Sequence, residues 1–319
     1  MTDTSGTAHF KFLSTVHEAP AELAPLIQVY HLPSSQHSST RGQSGLWDLF
    51  LQCLPLMVNL KELAFHNIIG SPSRILPSLE EGCQAPFQLD KFSWTQENPK
   101  CLNRKAYEAQ ALSLLETQHE LTQLRWVSRS KLISKLPVGA CPKLKRLEGS
   151  TNAIGAILPS RSVTELHWLR PWWFHNRLSI QEKVMNLTEL RALCAISLET
   201  YAHLQVKLQT LDTNPRNPFS NIEVVEVCII YDKDVIPPDY PAVLSRFHRL
   251  KKLVITTPKG KARYRAVYDP SSQISQLFAY FPHLKYVDFF VHPAYRRWVD
   301  GVLLKERVSI DRDRILQLE

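Results

Sequence analysis

The chain has 319 residues with a formal charge of +8; it is 44% hydrophobic and 21% charged, with a mean hydropathy of −0.20. It is too long for a disulfide-stapled mini-protein and too apolar for a disordered chain, and no run approaches the roughly 18 to 20 apolar residues of a membrane-spanning helix. Ten Gly against 21 Pro is poor material for Gly-rich phosphate cradles and suits many short elements joined by stiff turns.

From the N-terminus, residues 1–24 read as a tail. The opening MTDTSGTAHFKFL lacks the basic region and apolar stretch of a secretory leader, so a cytoplasmic or nuclear location is expected, and the sequon Asn186-Leu187-Thr188 is expected to stay unmodified. Residues 25–319 read as a single domain built on one recurring pattern, L-x-x-L-x-φ, where φ is apolar. It occurs as Leu60-Lys-Glu-Leu63-Ala-Phe65, Leu89-Asp-Lys-Phe92-Ser-Trp94, Leu121-Thr-Gln-Leu124-Arg-Trp126 and Val163-Thr-Glu-Leu166-His-Trp168. Further along come Ile222-Glu-Val-Val225-Glu-Val227, Leu250-Lys-Lys-Leu253-Val-Ile255 and Leu284-Lys-Tyr-Val287-Asp-Phe289, and weaker copies start at Leu26, Leu144 and Leu187.

Three apolar residues at fixed offsets recur by chance at about 9% of starts in such a composition, so the pattern needs support from its flanks. An apolar residue stands three positions upstream in Met57-Val-Asn-Leu60, Cys141-Pro-Lys-Leu144, Phe219-Ser-Asn-Ile222, Phe247-His-Arg-Leu250 and Phe281-Pro-His-Leu284. Helical spacing precedes several copies: Trp47, Phe50, Leu51 and Leu54; Ala106 to His119; Leu204, Leu208 and Leu211; Tyr240, Val243, Leu244 and Phe247; Ile274, Leu277, Phe278 and Phe281. The last two groups superpose, strand pattern included, when Tyr240 is laid on Ile274.

A strand with two inward apolar residues and a helix with one apolar stripe cannot fold alone, but stacked units can. The expected fold is therefore α/β, a leucine-rich-repeat solenoid of about ten irregular repeats, with a curved parallel sheet on the concave side and helices on the convex side. Trp94, Trp126 and Trp168 occupy the third pattern position and are expected in the core. Alternation turns the intervening strand residues to the concave face, and the candidate partner-binding residues there are Lys91, Arg125, Arg146, His167, Arg191, Glu226, Lys252, Tyr286 and Asp288. Their mixed sign suits a protein or peptide better than a nucleic-acid backbone.

Two basic stretches without acidic residues, 125–146 and 246–265, support an alternative reading as an anion or nucleic-acid binder. In Trp168 to His175, Trp172, Trp173 and Phe174 break the pattern, either buried in an irregular loop or exposed as a contact patch. Six cysteines without any C-x-x-C read as reduced, partly core thiols. Nucleotide-binding, hydrolase and zinc-protease motifs are missing, so no catalytic, cofactor or metal site is expected and the chain is read as non-enzymatic.

The stretch Ile222 to Asp300, with Asn221-Ile-Glu-Val-Val-Glu-Val, Phe247-His-Arg-Leu-Lys-Lys-Leu and Phe281-Pro-His-Leu-Lys-Tyr-Val, resembles the irregular leucine-rich repeats of fungal F-box proteins, especially those of mushroom-forming fungi. The likeness extends more loosely from about Glu22 to the C-terminus. In that family an N-terminal F-box docks the Skp adaptor of a cullin-based ubiquitin ligase and the repeats hold the substrate. The resemblance therefore implies a protein-interaction module, the substrate-recognition part of such a receptor. Here the F-box itself is not apparent: Ala19-Pro-Ala-Glu-Leu echoes its opening, but the first repeat strand follows at once.

Overall fold

One turn geometry explains the upstream apolar residue. In the five copies that carry it, the first pattern residue donates its backbone N–H to the carbonyl three residues before it: Leu60 to Met57 at 3.0 Å, Leu144 to Cys141 at 3.2 Å, Ile222 to Phe219 at 3.2 Å, Leu250 to Phe247 at 3.0 Å and Leu284 to Phe281 at 3.0 Å. Both ends of the turn are buried. The turn thus anchors each strand to the core at its entry, and two apolar residues three apart are what that requires.

These observations come from a computed structural model, which describes residues 6–32, 43–68, 72–77, 85–96, 101, 103–128, 130–158, 161–169, 193–198, 219–228, 244–245, 247–256, 270–291 and 294–309. The chain forms two compact units, Met1–Ser162 and Val163–Glu319. The first contains α1 (Gly6–Glu18), α2 (Pro20–Leu23), β1 (Val29–Leu32), α3 (Gln43–Cys53), β2 (Glu62–His66), β3 (Lys91–Gln96), α4 (Arg104–Glu116), β4 (Gln123–Ser128), β5 (Arg146–Gly149) and α5 (Thr151–Ile157). The second contains β6 (Glu165–Trp168), β7 (Ala195–Leu198), β8 (Val224–Cys228), β9 (Lys252–Thr256), α6 (Ser271–Tyr280), β10 (Tyr286–Val291), β11 (Ala294–Val299) and β12 (Val302–Val308).

Within the first unit β1 to β5 pair in chain order, all parallel. Within the second, β6 to β10 do the same, and β11 and β12 then add in antiparallel sense. Each repeat is tied to the next by a shared acceptor before the strand. The Asp90 carbonyl accepts from the N–H groups of Thr122 and Gln123, and the Glu223 carbonyl from those of Lys251 and Lys252. Together these features make a leucine-rich-repeat type of α/β arrangement: one short parallel strand per repeat, in sequence order.

The second and third pattern positions form apolar columns across the strands. Leu63, Phe92, Leu124 and Leu147 stand in register, as do Phe65, Trp94, Trp126 and Gly149. Trp94, Trp126 and Trp168 are all buried, as the repeat register requires. Aromatic rings run through the first unit from Tyr30 to Phe50 at 5.4 Å, Phe50 to Phe65 at 6.1 Å, Phe65 to Trp94 at 5.7 Å and Trp94 to Trp126 at 5.7 Å. Each such buried ring contributes about 1.5–3 kcal/mol. The column ends at Gly149, where an added Cβ would stand 2.7 Å from the Trp126 carbonyl oxygen and 3.1 Å from the Ala153 methyl of α5. Gly149→Ala is therefore expected to cost about 1–3 kcal/mol by overpacking, read from urea unfolding monitored by tryptophan fluorescence.

Four expectations are revised by the structure. The first copy starts at Ile27, not Leu26: Tyr30 aligns with Leu63 and Leu32 with Phe65, leaving Leu26 and Val29 exposed. The copy assigned to Leu187 is carried instead by Leu193, Ile196 and Leu198, because Ile196 aligns with Leu166 and Val225. Counting from 163 to 193 to 222 then gives steps of 30 and 29 residues. Residues 6–18, read as part of a tail, form α1, which packs on α3 through buried Leu13 and Val16 and stacks Phe12 on Tyr30 at 6.0 Å. Finally, the sheet of the second unit is not parallel throughout. Asp300 and Gly301, both at positive φ, close a tight hairpin between β11 and β12, the turn that an Asp-Gly pair favours.

Among the described residues Cys53, Cys101, Cys141 and Cys194 are free thiols. Cys141 is buried, donates to the Leu115 carbonyl at 3.4 Å, and its thiol is pushed up to about 11 by desolvation, partly offset by Arg161. It stays protonated in the folded state while the unfolded thiol ionises near 9, so its contribution to stability is complete below pH 9 and declines as pH rises toward 11. At pH 8 Cys141 is expected to resist alkylation in the native protein and to react fully in urea, which peptide mass mapping after iodoacetamide treatment reads directly.

Candidate partner-binding surface

Strand alternation places a second set of side chains on the sheet face away from these columns, and the two units treat that face differently. In the first unit its charged and amide side chains stay partly exposed, while Ala64, Ser93 and Thr95 between them are buried. The row at the start of the strands runs Glu62, Lys91, Gln123 and Arg146, and the next runs His31, Ala64, Ser93, Arg125 and Glu148. Glu62 Oε1 accepts from His31 Nε2 at 2.8 Å and lies 3.2 Å from Lys91 Nζ. Arg125 pairs through Nη1 with Glu148 Oε1 at 2.7 Å. The side chains of Lys91 and Arg125 are 32% and 41% exposed, so these are screened pairs, worth little to stability and open to exchange for a partner's charges.

In the second unit the same face is closed. Glu226, Lys252 and Asp288 are almost wholly buried, and His167 and Ser197 nearly so. The carboxylate of Asp288 receives a two-pronged hydrogen bond from Arg297 on β11, Nε to Oδ1 at 2.7 Å and Nη2 to Oδ2 at 2.9 Å, with Lys252 Nζ 4.0 Å away. Arg297 also lies over the Tyr286 ring at 5.5 Å, and Ser197 donates to Glu226 at 2.5 Å. Beside this network Ala195, Val224, Val254 and Tyr295 form an apolar cluster, with Phe290 packed against it. Ions buried this deeply need their partners, and a bidentate carboxylate and guanidinium pair is the form that best compensates desolvation.

Of the nine residues that the sequence places on the partner-facing side, Lys91, Arg125 and Arg146 therefore stand on an accessible face and Tyr286 is half-buried, whereas His167, Glu226, Lys252 and Asp288 are inside. The solvent-facing position expected of these last four does not hold, because alternation fixes the side of the sheet and not whether that side is covered. Arg191 lies outside the described residues, and the strand of its repeat runs Ala195–Leu198. Trp172, Trp173 and Phe174 lie outside them as well. The pattern also missed Arg297, which stands opposite Asp288 on the antiparallel strand β11 and binds its carboxylate.

Among the described residues the cations of the two basic stretches occupy different settings. Arg125 is on the sheet face, Lys131 and Lys135 flank and end a helical turn, and Lys143 pairs with Glu120 at 2.6 Å. In the second stretch Lys251 pairs with Glu223 at 2.7 Å and Lys252 is buried, while 246 and 257–265 lie outside the described residues. Among the described residues no His, Cys, Asp and Glu group could hold a metal ion, and no helix is long and apolar enough to cross a membrane.

No family model and no curated protein matches the sequence. A solved structure does: the leucine-rich-repeat-containing protein LegL7 from Legionella pneumophila is similar over 90% of this chain and 88% of its own, at 12% identity and a TM-score of 0.42.

Proposed function

We propose that the protein is an interaction module whose protein or peptide partner docks on the open sheet face of the first unit, across Lys91, Gln123, Arg125 and Arg146. The observation that carries this reading is the contrast between the charged groups of the two faces: where the second unit buries its ions in a closed network, the first holds Glu62, Lys91, Arg125 and Glu148 in partly exposed ion pairs. Parallel strands of successive repeats set these side chains at regular spacing along a rigid support, which is how repeat proteins build extended recognition surfaces. A protein partner fits better than nucleic acid because two carboxylates interrupt the cations.

The test is a photo-crosslinking residue at Gln123 on this face, with Ser113 on the exposed side of α4 as control. Adducts from position 123 and not from 113 are expected, and Arg125→Glu with Arg146→Glu should reduce them at least ~10-fold with an unchanged melting temperature. Equal adduct formation from both positions overturns the reading. A role in a ubiquitin-ligase receptor is the finer form of this proposal, supported by the family resemblance of the repeats; Skp-type and cullin subunits co-purifying with the full chain would be its signature.

A further inference from the structure

Lys91, Ser93 and Thr95 follow one another along β3 on the sheet face away from the apolar columns, Lys91 half-exposed and the other two buried, and these two lack a partner. Ser93 Oγ and Thr95 Oγ1 make no hydrogen bond, although the residues are only 6% and 8% exposed. Directly across the ladder from Ser93 stands Arg125, whose Nε is also buried and without an acceptor while its Nη1 engages Glu148. Buried polar groups in folded proteins are almost always paired. Two hydroxyls and a guanidinium N–H left over on adjoining strands therefore mark a place where an acceptor arrives from outside the chain.

The surroundings define that acceptor. On the other side of Ser93 the register puts Ala64, and beyond it His31, so two small side chains lie between the long ones of His31 and Arg125. With strands about 4.8 Å apart, the two small side chains make a low stretch of the sheet face between two long ones. Its charge suits a single negative group: Lys91 and Arg125 each already share one carboxylate, and a dianion would be set against Glu62 and Glu148. A positive local field is also felt by His66, which is held below the usual histidine range first by burial and then by Arg125 and His31.

We propose that Ser93, Thr95 and Arg125 form a subsite for the side-chain carboxylate of an extended acidic peptide, with Lys91 at its rim. This rests on reading the first-unit face as the docking surface and adds what is recognised there. The carboxylate accepts from the Ser93 hydroxyl and from Arg125 Nε–H, and the Thr95 hydroxyl, two residues along the same strand face, serves its second oxygen or the next peptide carbonyl. Lys91 and Arg125 are long and partly exposed, and an outward swing of their side chains admits the ligand.

The experiment is fluorescence anisotropy on the full chain with a fluorescein-labelled octapeptide of alternating Glu and Ser, and its Gln/Ser copy as the uncharged control. The Glu probe is expected to bind at least ~10-fold more tightly than the Gln copy, and both Arg125→Gln and the double variant Ser93→Ala with Thr95→Val should weaken it ~10-fold or more. The double variant should melt at the same or a higher temperature, since it removes two unsatisfied hydroxyls; a merely structural role for them would lower it. Equal binding of the two probes, or unchanged affinity in the double variant, overturns the subsite. If adducts from position 123 persist in that case, the docking face stands and only its acidic specificity fails.

Discussion

Replacing Asp288 by alanine is expected to destabilise the second unit by about 3–5 kcal/mol, because it strips a buried guanidinium of both hydrogen bonds it makes to Asp288 and removes an anion 4.0 Å from Lys252 Nζ. Asp288 and Lys252 are 0% and 1% exposed, so water cannot take over the lost partner without opening the sheet. The loss should be local. Hydrogen exchange followed by mass spectrometry should show β10 and β11 losing protection while β2 and β3 of the first unit keep theirs. Replacing Asp288 and Arg297 together with Leu and Met should recover much of the loss, since an apolar pair of similar volume needs no compensation for desolvation. Unchanged protection in Asp288→Ala would mean that the ion pair does not hold the strand.

The second large effect tests the repeat register. Leu253 is fully buried and stands between Val225 of β8 and Val287 of β10. Leu253→Asp should cost about 5 kcal/mol or more, combining the loss of a buried aliphatic chain with a carboxylate that finds no partner in an apolar column. Lys285→Asp, at an exposed position before β10, is the control and should shift stability by no more than ~0.5 kcal/mol. A cooperative melt at the parent temperature for Leu253→Asp would show that the residue does not face the core and that the strand is displaced by one position, since a one-residue slip exchanges the two faces.

The same sensitivity to a single residue explains where sequence reading succeeded and failed. The copies at Leu60, Ile222, Leu250 and Leu284 fell into register because an upstream apolar residue independently located the turn before the strand. At the first strand both Leu26 and Ile27 could begin the pattern, and only pairing with β2 selects the register that buries Tyr30 and Leu32. At the seventh strand Leu187 and Leu193 competed in the same way. Gly149 weakened the fifth copy for a reason invisible in the pattern, the close approach of the Trp126 backbone and Ala153.

For the candidate site the limits are different. Charges at alternate positions of β3, β4 and β5 identified the half-open face of the first unit, and Lys91, Arg125 and Arg146 lie on it. The hydroxyls of Ser93 and Thr95 carried no signal, because nothing in a residue type reveals that its hydrogen bond will go unmade. Glu226, Lys252 and Asp288 looked equally exposed, since charge is ordinarily a mark of solvent.

By itself the sequence determined the unit of construction. A turn, a short strand and a buried apolar pair recur because none can be stable alone, and periodicity is a local property of the chain. Which faces are open was decided only in three dimensions. Burial of Asp288 depends on Arg297 arriving from β11 and on the neighbouring Val224, Val254 and Tyr295 cluster, contacts between residues distant in sequence that no local pattern encodes.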